Sequence, residues 1–409
     1  MRIVVIGSIA AGVSAAAKLS AGDRGAKVVV YEKSAFYSCG ACGLPYYLNQ
    51  SLEELSAAIT GKEEELAARN IEAHLSHEVV SIDPAAHKLQ IRDLAANRQF
   101  TDTYDKLIIA TGSRSLIPQV PGSNRVGVQT FKSVEDLLFL KEYTRTPYVR
   151  DICILGGSYA GLEMAKAFLK LGRKVRIIEK ERKLLPAFDT EVSTLIQKEL
   201  EANGVQFSLG ETVTAFPGQT FIEEVQTNRG RYPCDLCIVC IGVAPNTGLL
   251  AGTGVALDAQ GAVLINEKLE TNVPGIYAVG DCARCADAGQ RTSSIRTAGL
   301  EIARTGLTEE EARKAGRRVR SVIAAGNDRP GICPHPNQVT IKLVYEESTR
   351  KVLGAQVWGR KNAAARANAV AVAVAAGMTV EQLGQVDLVY SGSSCSIWDP
   401  IQVVCNAAR

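Results

Sequence analysis

The chain has 409 residues, 46% of them apolar and 22% charged, with a formal net charge of +3. At ~150 residues per domain this is two to three domains, and the apolar share excludes a chain disordered throughout. The small charge, with no long basic run, argues against nucleic acid as a partner. No apolar run reaches the ~18 residues that cross a bilayer, so no membrane partner is expected either. Eleven cysteines in so long a chain read as thiols of a reducing, cytoplasmic compartment rather than as a disulfide scaffold. Only four histidines occur, His74, His77, His87 and His335, which starves histidine metal sites and triads, and no metal is expected.

Met1 to Ala17 resembles a signal peptide in composition, but its order reads differently. Arg2 to Ile6 is a β-branched strand, followed at once by Gly7-Ser8-Ile9-Ala10-Ala11-Gly12 and a helix of small residues that stops at Gly22. Lys27 to Tyr31 is a second strand ending on Glu32, twenty residues beyond Gly12. Strand, glycine turn, helix, strand and acid is the dinucleotide-binding order. The turn sets a helix N-terminus against a pyrophosphate, and the carboxylate accepts from ribose hydroxyls.

Cys39 and Cys42 follow in Phe36 to Leu48, at a Cys-x-x-Cys spacing that can close a redox disulfide. Tyr104 to Gly112 is a strand running into the small turn Ala110-Thr111-Gly112. The dinucleotide pattern then recurs. Asp151 to Leu155 leads into Gly156-Gly157-Ser158-Tyr159-Ala160-Gly161, a helix to Gly172, and a strand Lys174 to Ile178 ending on Glu179. A terminal carboxylate favours a free 2′-hydroxyl, hence NADH over NADPH.

Cys234, Cys237 and Cys240 lie in an apolar run to Ile241 that reads as a strand. Residues three apart face opposite ways there, and the outer two are ~20 Å apart, too far for one metal ion. Ile276 to Val279 is a further strand entering Gly280-Asp281, with Cys282 and Cys285 in the loop beyond, read as packing. Thr308 to Glu311 and Thr379 to Gln382 are capping boxes. Gln338 to Tyr345 and Lys351 to Trp358 read as strands, and Asn362 to Ala376 as an Ala-rich helix.

In this order the motifs resemble the FAD-dependent pyridine nucleotide-disulfide oxidoreductases, from Met1 to about Pro400. The resemblance implies an α/β fold with two Rossmann-like dinucleotide-binding domains, for FAD and NAD, plus a C-terminal α+β dimerisation domain. It divides the chain into 1–113 (FAD, first part), 114–242 (NAD(P)H), 243–290 (FAD, second part, shortened) and 291–409 (dimer interface), and makes the protein a homodimer. The Ala-Thr-Gly turn crosses from the FAD to the NAD domain, and Asp281 binds the flavin's ribityl chain. Lys33, Val79, Lys132, Gly242 and Gly280 join the cofactor-binding residues on the same resemblance.

Cys42-Gly43-Leu44-Pro45-Tyr46-Tyr47 resembles the single-cysteine branch, which comprises coenzyme A-disulfide reductases, NADH oxidases and persulfide or polysulfide reductases. There Cys42 is the redox cysteine, and a cysteine opening a helix has its attacking thiolate form stabilised. Cys39 stands where the branch usually has an aromatic residue. Tyr159 matches a residue that covers the flavin until nicotinamide displaces it, and Glu163 a glutamate pointing at the flavin centre. Tyr390 and Asp399-Pro400 match the tail that reaches the partner's site, with Cys395 in a loop that replaces the family's Pro-Pro-Tyr, read either as a second thiol delivered in trans to Cys42 or as an inert one.

Ala10 stands where NADH oxidases carry histidine, and Lys18-Leu19-Ser20-Ala21 lacks the cations that hold coenzyme A phosphates. Only Cys282 to Gln290 separate Asp281 from the interface domain, where the family inserts a strand and a long helix facing the flavin's pyrimidine edge. The expected activity is electron transfer from NADH through FAD to Cys42, and on to a small disulfide, persulfide or polysulfide. The alternatives are an NADH oxidase reducing oxygen, or a flavin- or nucleotide-binding protein without catalysis.

Overall fold

The computed structural model describes every residue except Arg24, 38–42, 58–62, 286–291 and Arg409. Cys39 and Cys42 lie outside the described residues. The chain divides into two compact units. One holds Met1–Ile152, Ala215–Gln226 and Arg231–Ala288, and the other Cys153–Thr214, Thr227–Gly230 and Gly289–Arg409. The division falls inside the strand Asp151–Leu155.

The first unit is built on a five-stranded sheet in the order Ile276–Ala278, Lys106–Ile109, Arg2–Ile6, Lys27–Tyr31, Ile71–His74. Every pairing is parallel. A parallel sheet is buried on both faces, which explains why its strands are continuous Val/Ile/Leu runs. Alternation then sorts them into two cores. Val4, Ile6, Val29 and Leu107 pack on one face, and Ile3, Val5, Val28 and Val30 on the other.

Three antiparallel strands, His77–Asp83, Lys88–Asp93 and Arg98–Thr103, cover the first of these cores through Leu89 and Ile91. Lys88–Asp93 alternates polar and apolar residues as a half-buried strand does, and the pairing with His77–Asp83 shifts register between Val79 and Ser81. The strand read from Tyr104 starts at Lys106, and the one read over Cys234 to Ile241 is confined to Leu236–Val239. Cys234, Cys237 and Cys240 are all buried, and burial pushes the Cys240 thiol up to about 12.

Cys282 and Cys285 do not lie in a loop. Gly280–Cys282 is a 3₁₀ turn, and Ala283–Cys285 pairs in parallel with Val263–Ile265. The Arg284–Asp258 ion pair at 3.2 Å holds that strand. Fully buried, the Cys282 thiol donates to the carbonyls of Val279 at 3.2 Å and Ile109 at 3.4 Å.

In the second unit the helix Tyr159–Lys170 precedes the strand Lys174–Glu179, which pairs in parallel with Gln206–Leu209 across the helix Thr190–Ala202. Leu162, Ala165 and Phe168, spaced three residues apart along one face of the first helix, are fully buried. The C-terminal part is a five-stranded sheet: Ser293–Thr297, Leu300–Gly306, Val352–Gly359, Gln338–Glu346, Val319–Asn327. All its pairings are antiparallel. The helices Arg366–Ala375, Val380–Gly384 and Pro400–Ala407 pack on it around Val339, Ile341, Val370 and Val404.

Both expected capping boxes form, Asp399 with Gln402 makes another in this unit, and Ser133 with Asp136 makes one in the first unit. The Ala-rich helix begins at Arg366 rather than Asn362, because Asn362 sits at φ 59° with its side chain donating to Asp328 at 2.8 Å. Burial alone would raise the Asp328 pKa. Hydrogen bonds from Asn337 and Asn362 and the Arg329 ion pair bring it down to about 2 instead.

One buried charge ties the unit together. Lys342 is 2% exposed, and its ammonium lies 3.0 Å from Asp189, 3.0 Å from Glu191 and 2.9 Å from Glu309. Asp189 also accepts from Gln356 Nε2 at 2.5 Å and from the backbone N–H groups of Glu309 and Glu310. The helix Glu309–Lys314 therefore finds partners for its first free donors in the segment before Thr190. With so many partners the buried lysine stays charged, its pKa raised despite burial.

Candidate functional site

In the first unit, the turn after Arg2–Ile6 reverses at Gly7, at φ 105°. A Cβ there would lie 2.3 Å from the Ala110 carbonyl oxygen, and one on Gly12 would lie 1.9 Å from that of Gly7. Only glycine lets the helix Ala10–Gly22 start this close to the strand ends, and no acidic residue occupies its first turn. Glu32, 6% exposed, accepts from the Ser8 N–H at 2.7 Å and the Ser34 N–H at 2.9 Å. Ser8 itself is fully buried, and its hydroxyl has no hydrogen-bond partner.

Two further turns close around this one. The Ala110 N–H donates to Ile6, and Asn246 clasps the next two residues. Its N–H donates to the Gly112 carbonyl, its amide to that of Thr111, and Thr111 Oγ1 donates back at 2.6 Å. A Cβ on Gly280 would lie 2.8 Å from that of Ala11, so the Gly280-Asp281 turn abuts the start of the same helix. Asp281 accepts from the Ser113 hydroxyl at 2.7 Å and pairs with Lys132 at 3.4 Å.

This arrangement fits FAD at its nucleotide end. Glycines open a cradle that a Cβ would fill, free helix N–H groups face it, an orphaned hydroxyl lies in it, and a buried carboxylate stands at its edge. Among the other expected residues, Lys33 is exposed. Val79 packs in the core, leaving only its backbone for a ligand. Gly242, at φ 123°, accepts from the Leu116 N–H.

The second unit repeats the construction. Gly156 is at φ 102°, and a Cβ on Gly161 would lie 1.9 Å from the Gly156 oxygen. Glu179, 7% exposed, accepts from the Gly157 N–H at 2.7 Å and the Glu181 N–H at 2.9 Å. Ser158 and Ala160 complete the turn, and the helix beyond again lacks an acid in its first turn. These residues fit the nicotinamide cofactor by the same criteria.

Tyr159 opens that helix with its ring 6.2 Å from that of Phe188 and its hydroxyl 2.6 Å from that of Ser293. Burial raises the Tyr159 pKa. Burial likewise raises that of Glu163, one turn further, with Lys166 opposing.

The flanks of the Cys39–Cys42 segment are held in place. Ser34 donates to Glu135 at 3.0 Å. The helix Leu44–Leu48 buries Leu44 and Leu48, and Lys141 lies 3.6 Å from the Tyr47 ring centroid. Tyr390 is exposed and Cys395 partly so. Ser8, Ser113, Asn246, Phe188 and Ser293 escaped the sequence reading. Ser8 and Ser113 adjoin recognised turns and carried a signal, whereas the others come from far along the chain.

The family model for pyridine nucleotide-disulphide oxidoreductases matches residues 1–306, and the model for the dimerisation domain of that family matches 293–390. The NAD(P)H coenzyme A polysulfide/persulfide reductase of Pyrococcus horikoshii is 30% identical, with 100% of this chain and 98% of that protein covered. That alignment runs over 443 positions, longer than the 409 residues here, so the relative carries segments this chain lacks. An NADH oxidase of Streptococcus pyogenes is 28% identical, with 95% of each covered. Among solved structures, an NAD-dependent persulfide reductase from A. fulgidus superposes with a TM-score of 0.94 at 28% identity, over 100% of this chain and 83% of that one. No helix among the described residues is long and apolar enough to cross a membrane. The twin glycine turns, each braced by a buried glutamate, belong to a pyridine nucleotide-disulphide oxidoreductase.

Proposed function

We propose that the chain is a cytoplasmic, homodimeric, NADH-preferring flavoprotein that delivers electrons through Cys42 to a small disulfide, persulfide or polysulfide. The observation that carries the reading is the pair of carboxylate-braced glycine turns, one for each dinucleotide. Residues 1–113 and 243–290 hold FAD in this proposal, 114–242 the nicotinamide cofactor, and 291–409 the dimer interface. The persulfide reductases among the relatives support the choice of sulfur acceptor.

Bound FAD supplies the two-electron relay between nicotinamide and sulfur. The chain's own residues do the rest. The N–H groups that open the helices Ala10–Gly22 and Tyr159–Lys170 hold the two pyrophosphates, while Glu32 and Glu179 hold the riboses. Asp281, with Ser113 and Lys132 already on its carboxylate, holds the polar chain that leads toward the flavin ring. Glu163 is the group suited to hold a proton, since burial favours its neutral form. Cys42 attacks one sulfur of a substrate disulfide, breaking its S–S bond, forming a mixed disulfide and releasing the other half as a thiolate. Cys39 is its nearest resolving partner along the chain.

An NADH oxidase is the second reading, favoured by the relative of that name and opposed by Ala10, which offers no acid or base at the first turn.

Anaerobic NADH titration of the purified protein, followed by visible spectra and thiol counts, tests the reading. Flavin bleaching with a long-wavelength thiolate-to-flavin band, abolished in Cys42→Ser, is the expected result. In a parallel aerobic assay, oxygen uptake that persists in Cys42→Ser without any sulfur turnover would establish the oxidase. A protein that retains no flavin would overturn both readings.

A further inference from the structure

Among the described cysteines, only Cys285, Cys333 and Cys395 are not buried. Two of these three lie on loops that touch. The Cys333 thiol donates to the Gly392 carbonyl at 2.6 Å. Gly392 and Cys395 belong to one turn, in which the Ser391 carbonyl accepts from Ser394 N–H at 3.0 Å and from Cys395 N–H at 2.8 Å. Residues three apart in such a turn have Cα atoms within ~7 Å. The Cys333 sulfur is thus held against the same turn that carries Cys395, and a disulfide spans Cα separations of ~4.4–6.8 Å.

The bases of both loops are fixed through one arginine. The 328–337 loop is closed by the Asp328 N–H on the Asn337 carbonyl at 2.8 Å, and its Asp328 carboxylate is held by Asn337 and Asn362. The 390–399 loop ends on Asp399, which pairs with Arg366 at 2.9 Å. Arg366 also reaches the Asp328 carbonyl at 3.5 Å. For two partly exposed thiols on loops with a common anchor, much of the chain-closure cost that opposes a bond between remote residues is already met by the fold. The whole stretch from Pro334 to Ser394 separates them in sequence, so a bond here fastens the tail loop to the edge of the C-terminal sheet.

We propose that Cys333 and Cys395 form a reversible intrachain disulfide when the protein meets small disulfides, separate from the chemistry of Cys42. One thiolate attacks the small disulfide RSSR, giving a protein–S–SR bond and releasing RS⁻. The second thiolate attacks the protein sulfur of that bond and expels the other RS⁻. The protein loses two electrons, carried off in two molecules of RSH once the released protons are taken up, and RSSR is the oxidant. Excess small thiol reverses both steps.

Peptide mapping of the full-length flavoprotein tests this after incubation with hydroxyethyl disulfide, acid quench and alkylation. The expected result is a Cys333–Cys395 linked peptide, lighter by two hydrogens than its two parts, in most chains, with neither Cys333 nor Cys395 left to alkylate. The chains stay monomeric on a denaturing non-reducing gel. Cys333→Ser and Cys395→Ser each lose the link and retain the small-thiol adduct on the remaining cysteine. Should either variant fail to fold, alkylation of the wild type before and after treatment still reports both thiols. Stable adducts on both cysteines without a link would overturn the proposal. So would a bond from Cys395 to Cys42, or a bond between chains.

Discussion

The two glycine turns are built alike to within about a tenth of an ångström at their carboxylates, yet they differ in what lies beneath. Glu32 and Glu179 each accept two backbone N–H groups, at 2.7 and 2.9 Å. In each turn the last glycine sits where a Cβ would lie 1.9 Å from the first glycine's oxygen. The second residue separates them. Gly157 has Leu184 where a Cβ would be, at 2.6 Å, whereas Ser8 fits and leaves a buried hydroxyl without a partner. The shared parts are what any dinucleotide pyrophosphate requires, and the unshared residue is where the two sites carry separate specificity.

The largest effect expected from this comparison comes at the last glycines. Valine at either position forces the helix away from the strand, and the N–H groups lose their aim at the phosphates. Gly12→Val should purify without flavin absorbance. Gly161→Val should retain flavin and lose NADH-dependent reduction by more than ~10²-fold, a loss of about 3 kcal/mol or more. A Gly161→Val protein reduced normally by NADH would break the equivalence of the turns.

Both turns were legible in the sequence because strand, glycines, helix and acid follow one another within about thirty residues. What escaped was assembled from distance. Asn246 clasps Thr111 across 135 positions. Lys342 reaches Glu191 across 151. Nothing near Lys342 marks it as buried, since a lysine in an alternating strand reads as solvent-facing. The strands Ser293–Thr297, Leu300–Gly306 and Val319–Asn327 were hidden for a different reason: they carry Arg, Thr and Ser at positions whose partners lie on other strands.

The chain's shortness was also legible, since only nine residues follow Asp281 before Arg291. The described residues after Asp281 run from Ala283–Cys285 to Ser293–Thr297 without a helix among them.

The carboxylates offer the next effect. Replacing Glu179 with Gln leaves one oxygen for two N–H donors and turns an NH₂ group toward one of them. An unpaired buried donor costs about 1–3 kcal/mol. Glu179→Gln should therefore raise the KM for NADH by ~5–100-fold and erode the NADH over NADPH preference, as measured by the ratio of kcat/KM values. Glu32→Gln should weaken flavin retention by a similar factor and leave that ratio unchanged. An altered cofactor ratio in Glu32→Gln would mean that the two carboxylates do not serve separate dinucleotides.

The smallest effect falls on the residue that differs. The Ser8 hydroxyl is buried with no hydrogen-bond partner in the protein, and an unmet buried hydroxyl costs about 1–3 kcal/mol. That cost is recovered only if a ligand oxygen arrives to accept the proton. Ser8→Ala should therefore act with opposite signs on the two forms. The apoprotein gains about 1 kcal/mol, seen as a rise of a few degrees in melting temperature, and flavin affinity falls by ~5–10-fold. Gly157 has no hydroxyl to lose, and its Cβ position is already occupied by Leu184, so no equivalent exchange is open in the second turn. Thermal melts of apo and flavin-loaded protein, wild type against Ser8→Ala, read both signs at once. A variant less stable in both forms with unchanged flavin affinity would make Ser8 a packing residue and remove the chemical distinction between the turns.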